Sequence, residues 1–332
     1  IAVTWACNNA CRFCYAGCGS SAPAETPRAV TGSDGSEMSR ADVKRVLRIF
    51  KDEAKIPFFS FTGGEPLMRQ DLEDMIRDAR SLGLGVNLVT NGILASPKRA
   101  RSLRKAGLTT AQVSVESPDA EMHDRLTTRP GSWAQTLSGI RNLQAAGISV
   151  QTNTTVTALT LGDAPRMPAF LRGLAIRRFA MNLFIPVGSA PRSDGLFVPY
   201  SRAGAMIDAV RAAARKEGLT FFWYSPIPQC RYNTIARGLG NKSCAAMDGL
   251  LSVSPAGDVL PCSSYPEPMG NLLKAGFREI WFSRRAQFFK NKEYAPAECA
   301  GCESFTACQS ACPLYWRFAG TAEITRARRA AS

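Results

Sequence analysis

Three cysteines near the start of the chain have a spacing that suits iron-sulfur chemistry. Cys7, Cys11 and Cys14 form the pattern C-x3-C-x2-C, directly after the short apolar run Ala2–Trp5. Three thiolates hold three irons of a 4Fe-4S cluster and leave the fourth iron open to another ligand, which a cluster that performs chemistry requires. The alternative is a structural zinc loop, which needs a fourth Cys or His nearby, and Cys18 is the candidate.

A second block of cysteines occupies the last third of the chain. Its pattern is C-x12-G-x4-C followed by C-x2-C-x5-C-x3-C, at positions Cys244, Gly257, Cys262, Cys299, Cys302, Cys308 and Cys312. This segment is poor in regular apolar patterns, so we expect bound metal to stabilise it. Two zinc sites are the alternative to iron-sulfur clusters, because the cysteine spacings of both kinds of site overlap.

The composition favours a globular protein of a reducing compartment. Eleven cysteines among 332 residues, mostly in spaced groups, indicate metal ligation more than disulfides, and we expect a cytoplasmic location. The formal net charge of +14 is spread along the chain without an aromatic-interleaved basic stripe, so nucleic acid is not expected as a partner. No apolar run approaches the roughly 18 residues of a membrane span, and no membrane association is expected.

The elements that must position these cysteines follow an alternating rhythm. Short apolar runs alternate with helical patterns, as in parallel strands joined by crossover helices. The predicted strands are Ala2–Trp5, Phe58–Thr62, Val86–Thr90, Gln112–Glu116, Val150–Val156 and Phe179–Phe184. The predicted helices are Asp71–Leu82, Pro97–Ala106, Trp133–Ala146 and Ala164–Leu174, after a first helix capped by Ser39. Six strand-helix units predict an open barrel with the first cysteines at its C-terminal mouth.

The rhythm changes after the predicted barrel. The turn-rich segment Gly188–Ser193 precedes a predicted helix, Arg202–Glu217, and a predicted strand, Phe221–Tyr224. A hairpin is predicted from Leu250–Ser254 and Val259–Leu260. Loops dense in cysteine and proline follow, so we expect a separate cluster-binding region there.

The loop around the first cysteines resembles the cluster loop of the radical S-adenosylmethionine (SAM) superfamily. In that family an aromatic residue precedes the third cysteine, and Phe13 occupies this position as an implied cofactor contact. The segment Gly63–Pro66 is similar to the family motif that binds the methionyl amino group of SAM. The resemblance implies that Glu65 accepts a hydrogen bond from that ammonium group, while Gly63 and Gly64 let the backbone approach.

Polar residues at the ends of later strands resemble the family's contacts to the SAM ribose and carboxylate. The implied contacts are Asn91, Ser114, Glu116, Arg129 and Asn153. Ser114 would face the ribose and Arg129 the carboxylate, although an ordinary surface arginine is the alternative for Arg129. Many relatives carry Asp where this chain has Glu116. His123 is the only histidine and lacks a partner motif, so it is not predicted to act as a base.

The second cysteine block resembles the SPASM extension of radical SAM enzymes and matches six of its seven positions. By family precedent a first auxiliary cluster would use Cys244, Cys262 and Cys312, with Cys230 as a plausible fourth ligand. A second would use Cys299, Cys302 and Cys308. No cysteine follows Cys312, so the last ligand of the second cluster is left open. A trimmed chain, another ligand or an open iron would each account for this.

These features together predict an α/β enzyme with a partial (βα)6 TIM-like barrel and a small C-terminal iron-sulfur SPASM domain. The predicted divisions are a barrel at 1–185, a bridge at 186–229, an auxiliary-cluster domain at 230–316 and a tail at 317–332. The resemblance implies SAM, one SAM-binding and two auxiliary 4Fe-4S clusters, and an electron donor such as flavodoxin or ferredoxin. The reduced cluster would cleave SAM to a 5'-deoxyadenosyl radical that abstracts a hydrogen atom from substrate.

The substrate is less well defined than the chemistry. SPASM-bearing relatives most often modify peptides or a protein side chain, which is the predicted substrate class here. Others act on small molecules such as haem precursors or sugars, and the lack of a visible leader-binding module slightly favours this alternative. A non-catalytic electron carrier is the third possibility, but it would need neither Gly63–Glu65 nor an open iron.

Overall fold

The computed structural model describes residues 1–18, 37–188 and 195–324. Most of the predicted turn segment Gly188–Ser193 and the end of the predicted tail lie outside the described residues. Within the described ranges, no helix combines the length and the apolar character needed to cross a membrane.

A parallel sheet of six strands forms the centre of the fold, and its strands pair in chain order. The strands are β1 (Phe58–Phe61), β2 (Gly85–Thr90), β3 (Thr110–Ser114), β4 (Ser149–Val156), β5 (Arg178–Leu183) and β6 (Thr220–Trp223). In β2, the buried residues Val86, Leu88 and Thr90 alternate with half-buried ones, as the two-residue period of a strand requires. Parallel pairing in sequence order requires a crossover after each strand, which confirms the predicted partial barrel.

Helices provide these crossovers, and one further helix, α1 (Arg40–Asp52), precedes β1. The crossover helices are α2 (Leu72–Ser81), α3 (Pro97–Ala106), α4 (Ala120–Thr127), α5 (Ser132–Ala145), α6 (Met167–Gly173) and α7 (Tyr200–Lys216). The cap predicted at Ser39 is confirmed, because its side chain accepts from the Asp42 amide while the Asp42 carboxylate accepts from the Ser39 amide. One face of α1, including Val43, Leu47 and Phe50, is buried. Helix α4 was not predicted, and it proves important for the site.

The segment Ala2–Trp5 does not form the first strand that its apolar pattern predicts. Only Ala2 pairs with the sheet, through one parallel bridge to Thr62 just beyond β1. On the other side, the Ala2 amide donates to the Val253 carbonyl at 2.8 Å. The segment is apolar because it is buried between two partners rather than within a sheet. The sixth strand is instead β6, which comes from the predicted bridge and pairs with β5.

The C-terminal part contains a small antiparallel sheet of three short strands. The predicted hairpin is confirmed as β7 (Ser252–Val253) and β8 (Asp258–Leu260), while β9 (Gly270–Asn271) was not predicted. The helices are α8 (Phe277–Trp281), α9 (Arg284–Lys290), α10 (Phe305–Cys308) and α11 (Pro313–Ala319). Strands of two or three residues supply few ladder hydrogen bonds, so this region depends on its loops and their ligands for order.

Candidate functional site

Cys7, Cys11 and Cys14 lie together on an irregular loop beyond the carboxyl end of β1. Burial raises the pKa of Cys11, and the nearby charges of Cys14, Glu116 and Cys7 raise it further. The three sulfurs therefore lie near one another. Burial also raises the pKa of Cys7 to about 12, whereas a hydrogen bond from Cys18 lowers the pKa of Cys14. Metal binding would displace these protons, since a ligating thiol is bound as the thiolate.

The end of helix α4 holds this cysteine loop in place. The Arg12 amide donates to the Leu126 carbonyl at 2.9 Å, and the Thr128 hydroxyl donates to the Ala10 carbonyl at 2.7 Å. Arg129 donates from Nη1 to the Asn8 carbonyl at 2.8 Å. Arg129 is therefore neither a free surface side chain nor wholly available to a ligand, because one of its donors supports the loop.

The two glycines after β1 allow the chain to approach the start of the cysteine loop. The Gly64 amide donates to the Thr4 carbonyl at 2.8 Å, and the Glu65 amide donates to the Ala6 carbonyl at 2.7 Å. A Cβ at Gly63 would stand 2.6 Å from the Thr4 oxygen, and one at Gly64 would stand 2.2 Å from the Ala6 oxygen. In the structure, therefore, the close approach that requires glycine is to the protein's own backbone.

Glu65 is buried, and its carboxylate accepts three hydrogen bonds from the chain. Oε1 accepts from the Leu67 amide at 2.9 Å and from the Thr90 hydroxyl at 2.7 Å, and Oε2 accepts from the Asn91 amide at 2.8 Å. Burial nevertheless raises the pKa of Glu65 to about 7. A carboxylate has about four lone-pair sites, so one acceptor site on Oε2 remains for a cation.

Asn91 also fixes the cysteine loop. Its Nδ2 donates to Asn8 Oδ1 at 2.7 Å, and its Oδ1 accepts from the Ile93 amide at 3.0 Å. The side chain predicted to contact SAM thus has both ends engaged by the protein. Asn91 joins the end of β2 to the loop between Cys7 and Cys11.

The later strands bring three further predicted residues to the same edge. Ser114, the last residue of β3, is in register with Asn153 of β4. Asn153 donates from Nδ2 to Asn182 Oδ1 at 2.8 Å, while its own Oδ1 is buried without a partner. Glu116 accepts from the Thr155 amide at 2.8 Å, and burial raises its pKa to about 8. This edge therefore offers buried oxygen acceptors to a ligand with hydroxyl or amino groups.

Two other residues near the loop have structural contacts. Phe13 packs on a small apolar cluster formed by Leu126, Phe184 and Leu196. His123 is buried in α4, and its Nδ1 accepts from the Glu116 amide at 3.2 Å. Burial lowers the pKa of His123 to about 4, so the ring is neutral and serves as an acceptor. This agrees with the expectation that it is not a base.

The remaining ligand candidates form two groups. The inner set is Cys244, Cys262 and Cys312, of which Cys244 and Cys312 are buried. The charge of Cys244 raises the pKa of both Cys262 and Cys312, so the three lie close together. Cys230, Cys299, Cys302 and Cys308 are termed the outer set, in which Cys230 is exposed and the charge of Cys308 acts on both Cys230 and Cys299.

The position of Cys230 corrects the expected ligand grouping. Cys230 was predicted to join the inner set, but it neighbours Cys308 and Cys302. The preceding amide, of Gln229, donates to the Cys308 sulfur at 3.3 Å. Spacing could not reveal this, because Cys230 lies in a loop that precedes both Cys244 and Cys299 in the sequence. The outer set therefore contains four cysteines and the inner set three.

Buried polar atoms without partners collect around these cysteines. Near the first loop they include Trp5 Nε1, Asn8 Nδ2 and Asn9 Oδ1. Beside the outer set they include Gln229 Nε2, Arg231 Nε and Ser310 Oγ, and beside the inner set the hydroxyls of Tyr200 and Tyr294. Such groups are costly unless a ligand accepts or donates to them. The surroundings thus fit polar inorganic groups bound at all three places.

The potential metal ligands of the described residues are not tightly clustered. Across the described residues, no three His, Cys, Asp or Glu side chains converge closely enough to hold one metal ion. A single zinc ion needs its ligands at about 2.0–2.3 Å, crowded around one point. Cysteines around a cluster bind separate irons and stand farther apart than the ligands of a single ion.

Comparison with known families identifies two segments of the chain. Residues 1–167 match the model of the radical SAM superfamily. Residues 244–303 match the model of SPASM, an iron-sulfur cluster-binding domain. The first match contains the first three cysteines and Glu65, and the second contains Cys244, Cys262, Cys299 and Cys302.

The curated relatives include enzymes of two kinds. An AdoMet-dependent heme synthase of Oleidesulfovibrio alaskensis is 28% identical over 92% of this chain and 80% of its own length. A PqqA peptide cyclase of Ruegeria pomeroyi is 27% identical over 91% of this chain and 78% of its own length. The chain is thus similar to enzymes that are named for different substrates.

Solved structures share the fold. Streptococcus suis SuiB bound to the precursor peptide SuiA is 16% identical, with a TM-score of 0.75 over 94% of this chain and 70% of that chain. A structure of anSMEcpe with bound AdoMet is 15% identical, with a TM-score of 0.70 over 99% of this chain and 97% of that chain. At these identities the likeness is one of architecture.

Proposed function

Because the chain belongs to the radical SAM superfamily, an assignment that makes it an enzyme with SAM and 4Fe-4S clusters as cofactors, we propose that its substrate is a peptide or protein side chain. The observation that carries the proposed chemistry is the grouping of Cys7, Cys11 and Cys14 with the buried Glu65 at one edge of the sheet. When bound, the cluster and SAM supply a carbon radical that removes a hydrogen atom from unactivated carbon.

The chain's own residues position these cofactors in the proposal. Cys7, Cys11 and Cys14 hold the cluster, and the remaining lone pair of Glu65 Oε2 accepts from the SAM ammonium. Asn153 Oδ1, which is buried without a partner, accepts from a ribose hydroxyl, and Ser114 is next to it in register. The α4 contacts keep the loop rigid, so that the reacting groups start close to their productive geometry.

Replacing Glu65 by Gln tests the carboxylate. Whichever way the amide is turned, its NH2 group faces the amide of Leu67 or that of Asn91, so two donors oppose each other. We expect the free energy of unfolding to fall by about 1–3 kcal/mol and SAM affinity to fall roughly ten-fold, because a charge-assisted hydrogen bond is lost. Equilibrium SAM binding and denaturant unfolding measure the two effects.

Glu73→Gln is the matched control for Glu65→Gln. Glu73 lies in α2 and is also buried, but its carboxylate pairs with Arg99 at 3.0 Å. This substitution should lower stability and leave SAM affinity unchanged. A normal dissociation constant in Glu65→Gln would show that another group holds the ammonium.

The auxiliary cysteines are proposed to hold two further clusters, the outer set with four thiolates and the inner set with three. The predicted division at residues 185, 229 and 316 is retained with this proposal. The exposed Cys230 places the outer set nearer to solvent, where a small electron carrier such as flavodoxin or ferredoxin can approach. The buried inner set lies deeper, as suits a cluster that exchanges electrons within the protein.

Electron paramagnetic resonance tests the assignment of Cys230. We expect Cys230→Ala to alter the same cluster signal that Cys302→Ala alters, because both thiolates belong to the outer set. The signal altered by Cys262→Ala should stay unchanged. If Cys230→Ala instead modifies the Cys262-dependent signal, then Cys230 serves the inner set, as family precedent implies. Iron analysis of the parent should give about twelve irons per chain, four for each cluster.

Several observations support a peptide rather than a small substrate. The curated relatives include a peptide cyclase, and the fold is that of a protein solved with its precursor peptide. In the described residues the sheet runs from β1 to β6 without closing into a ring. The second candidate is a haem precursor, favoured by the heme synthase similarity across 92% of the chain.

Product analysis separates the two candidates. Reconstituted enzyme is incubated under anaerobic conditions with SAM, a reductant and either peptides translated from short reading frames beside its gene or haem precursors. We expect 5'-deoxyadenosine formation to rise with a peptide, together with a mass change in that peptide, and not in a Cys11→Ala control. A mass change confined to a haem precursor would replace the proposal by the second candidate.

A further inference from the structure

We propose that a groove on the C-terminal part of the chain binds an acidic segment of the peptide substrate and so anchors that peptide to the enzyme. The inference rests on the proposed function, in which the substrate is a peptide or protein side chain. The groove has a volume of about 770 Å³ and is termed the arginine groove. The residues that line it include Tyr265, Glu267, Arg284, Arg285, Phe288 and Arg317.

Aromatic rings form the floor of the arginine groove. Tyr265 and Phe289 are buried, and their rings meet edge to face with centres 5.0 Å apart. Phe288, which is half-buried, meets Phe289 in the same way at 5.3 Å. Rings that are fixed by one another offer a rigid apolar surface, so an apolar peptide side chain can bind there without ordering the protein further.

The rim of the arginine groove is cationic. Arg284, Arg285 and Arg317 are all exposed. Arg284 donates to both carboxylate oxygens of Glu293 at 2.6 and 2.7 Å, and Arg317 donates to Glu267 at 3.1 Å. Exposed pairs of this kind contribute about 0–1 kcal/mol, so a ligand carboxylate can replace the protein's own. Arg285 forms no ion pair with any of the described residues and is available to a further carboxylate.

The helices α8 and α9 lie in a basic stretch of the chain. Residues 274–292 include six lysines or arginines and one acid, Glu279. Lys290 stands over the rings of Trp281 and Phe282, at 4.3 and 4.6 Å from their centres. A positive field of this kind attracts a segment that carries carboxylates and repels a basic one. Arginine on the rim and aromatic rings on the floor together suit glutamate or aspartate beside an apolar residue.

The arginine groove adjoins the inner set rather than the proposed SAM contacts. The Tyr265 amide donates to the Cys262 carbonyl at 3.1 Å. Arg317 belongs to α11, which begins directly after Cys312, and it donates to the Tyr265 hydroxyl at 2.9 Å. None of the residues that line the groove is a proposed SAM contact. A segment bound here would be held equally in the ground state and the transition state, so it would lower KM without changing kcat.

Binding of labelled peptides to the full, reconstituted chain tests the site. The probe is a short fluorescein-labelled peptide of glutamate and phenylalanine, and its match has glutamine in place of each glutamate. Fluorescence anisotropy at low salt measures both dissociation constants. We expect the glutamate peptide to bind roughly ten-fold more tightly than its match, and Arg285→Glu to remove most of that difference, because like charges then face each other. SAM affinity and iron content should remain those of the parent.

Arg101→Glu is the matched control for Arg285→Glu. Arg101 is an exposed arginine of α3, so its substitution changes the net charge equally but leaves the groove intact. It should bind the glutamate peptide like the parent. If both variants weaken binding equally, or if the glutamate and glutamine peptides bind alike, the arginine groove is not the site and the inference is overturned.

Kinetics with a peptide that the enzyme modifies separates the inference from the proposed function. Arg285→Glu should raise the KM for that peptide several-fold and leave kcat unchanged, which is the mark of lost uniform binding. A modified peptide with an unchanged KM would overturn the inference and leave the proposed function standing. If only a haem precursor is modified, the proposed function fails and the inference fails with it. Arg285-dependent binding of a carboxylated porphyrin such as coproporphyrin, without binding of the glutamate peptide, would also overturn the inference.

Discussion

Replacing Cys7, Cys11 and Cys14 together by alanine is expected to abolish reductive cleavage of SAM. The three sulfurs lie near one another on a loop that α4 holds in place. Without them the SAM-binding cluster cannot be held, so 5'-deoxyadenosine formation should fall to the level of the reagents alone. Chromatography of the products with a strong chemical reductant measures this.

The matched control for this variant is Cys18→Ala. Cys18 is close in sequence and forms a hydrogen bond with Cys14, but it lies outside the C-x3-C-x2-C pattern. This variant should retain most of the cleavage activity, and the triple variant should retain the signals of the inner and outer sets. Undiminished cleavage in the triple variant would refute the assignment of the loop.

Gly64→Ala is expected to have the second largest effect. Its Cβ would stand 2.2 Å from the Ala6 oxygen and 2.7 Å from the Ala6 carbonyl carbon, and backbone atoms cannot rotate away as a side chain can. The strand end and the cysteine loop must separate, which breaks the bond from the Glu65 amide to Ala6. Overpacking should lower the free energy of unfolding by about 1–3 kcal/mol. We also expect near-complete loss of SAM cleavage.

Gly162→Ala provides the comparison for Gly64→Ala. A Cβ at Gly162 meets no atom within 4 Å, and the backbone there has an ordinary conformation. Its stability, iron content and cleavage rate should match those of the parent chain. If Gly64→Ala behaves like Gly162→Ala in denaturant unfolding and cleavage assays, then the tight contact with Ala6 does not hold the loop.

Sequence patterns were sufficient for the sheet and the main motifs. The strands β2 to β5 and the helices α3, α5 and α6 follow from apolar periodicity, and Gly63–Pro66 lies at the predicted strand end. These features depend on local sequence, which is why they could be read from it. The predictions that were wrong depend on contacts between residues distant in sequence. The segment Ala2–Trp5 is held between Thr62 and Val253, and nothing in its own sequence indicates this.

In the site, too, local patterns could be predicted from the sequence and tertiary contacts could not. The cysteine groups were evident from spacing, but the partner of Cys230 was not, because a loop cysteine can turn toward either set. Three donors on the Glu65 carboxylate and the link from Asn91 to Asn8 also depend on tertiary structure.

The contact between Ala2 and Val253 constrains the order in which the protein matures. The segment before Cys7 is held by Thr62 on one side and by β7 on the other. During translation the ribosome releases Val253 long after Ala2, so a nascent chain that has completed most of the barrel still has one side of this segment unsupported.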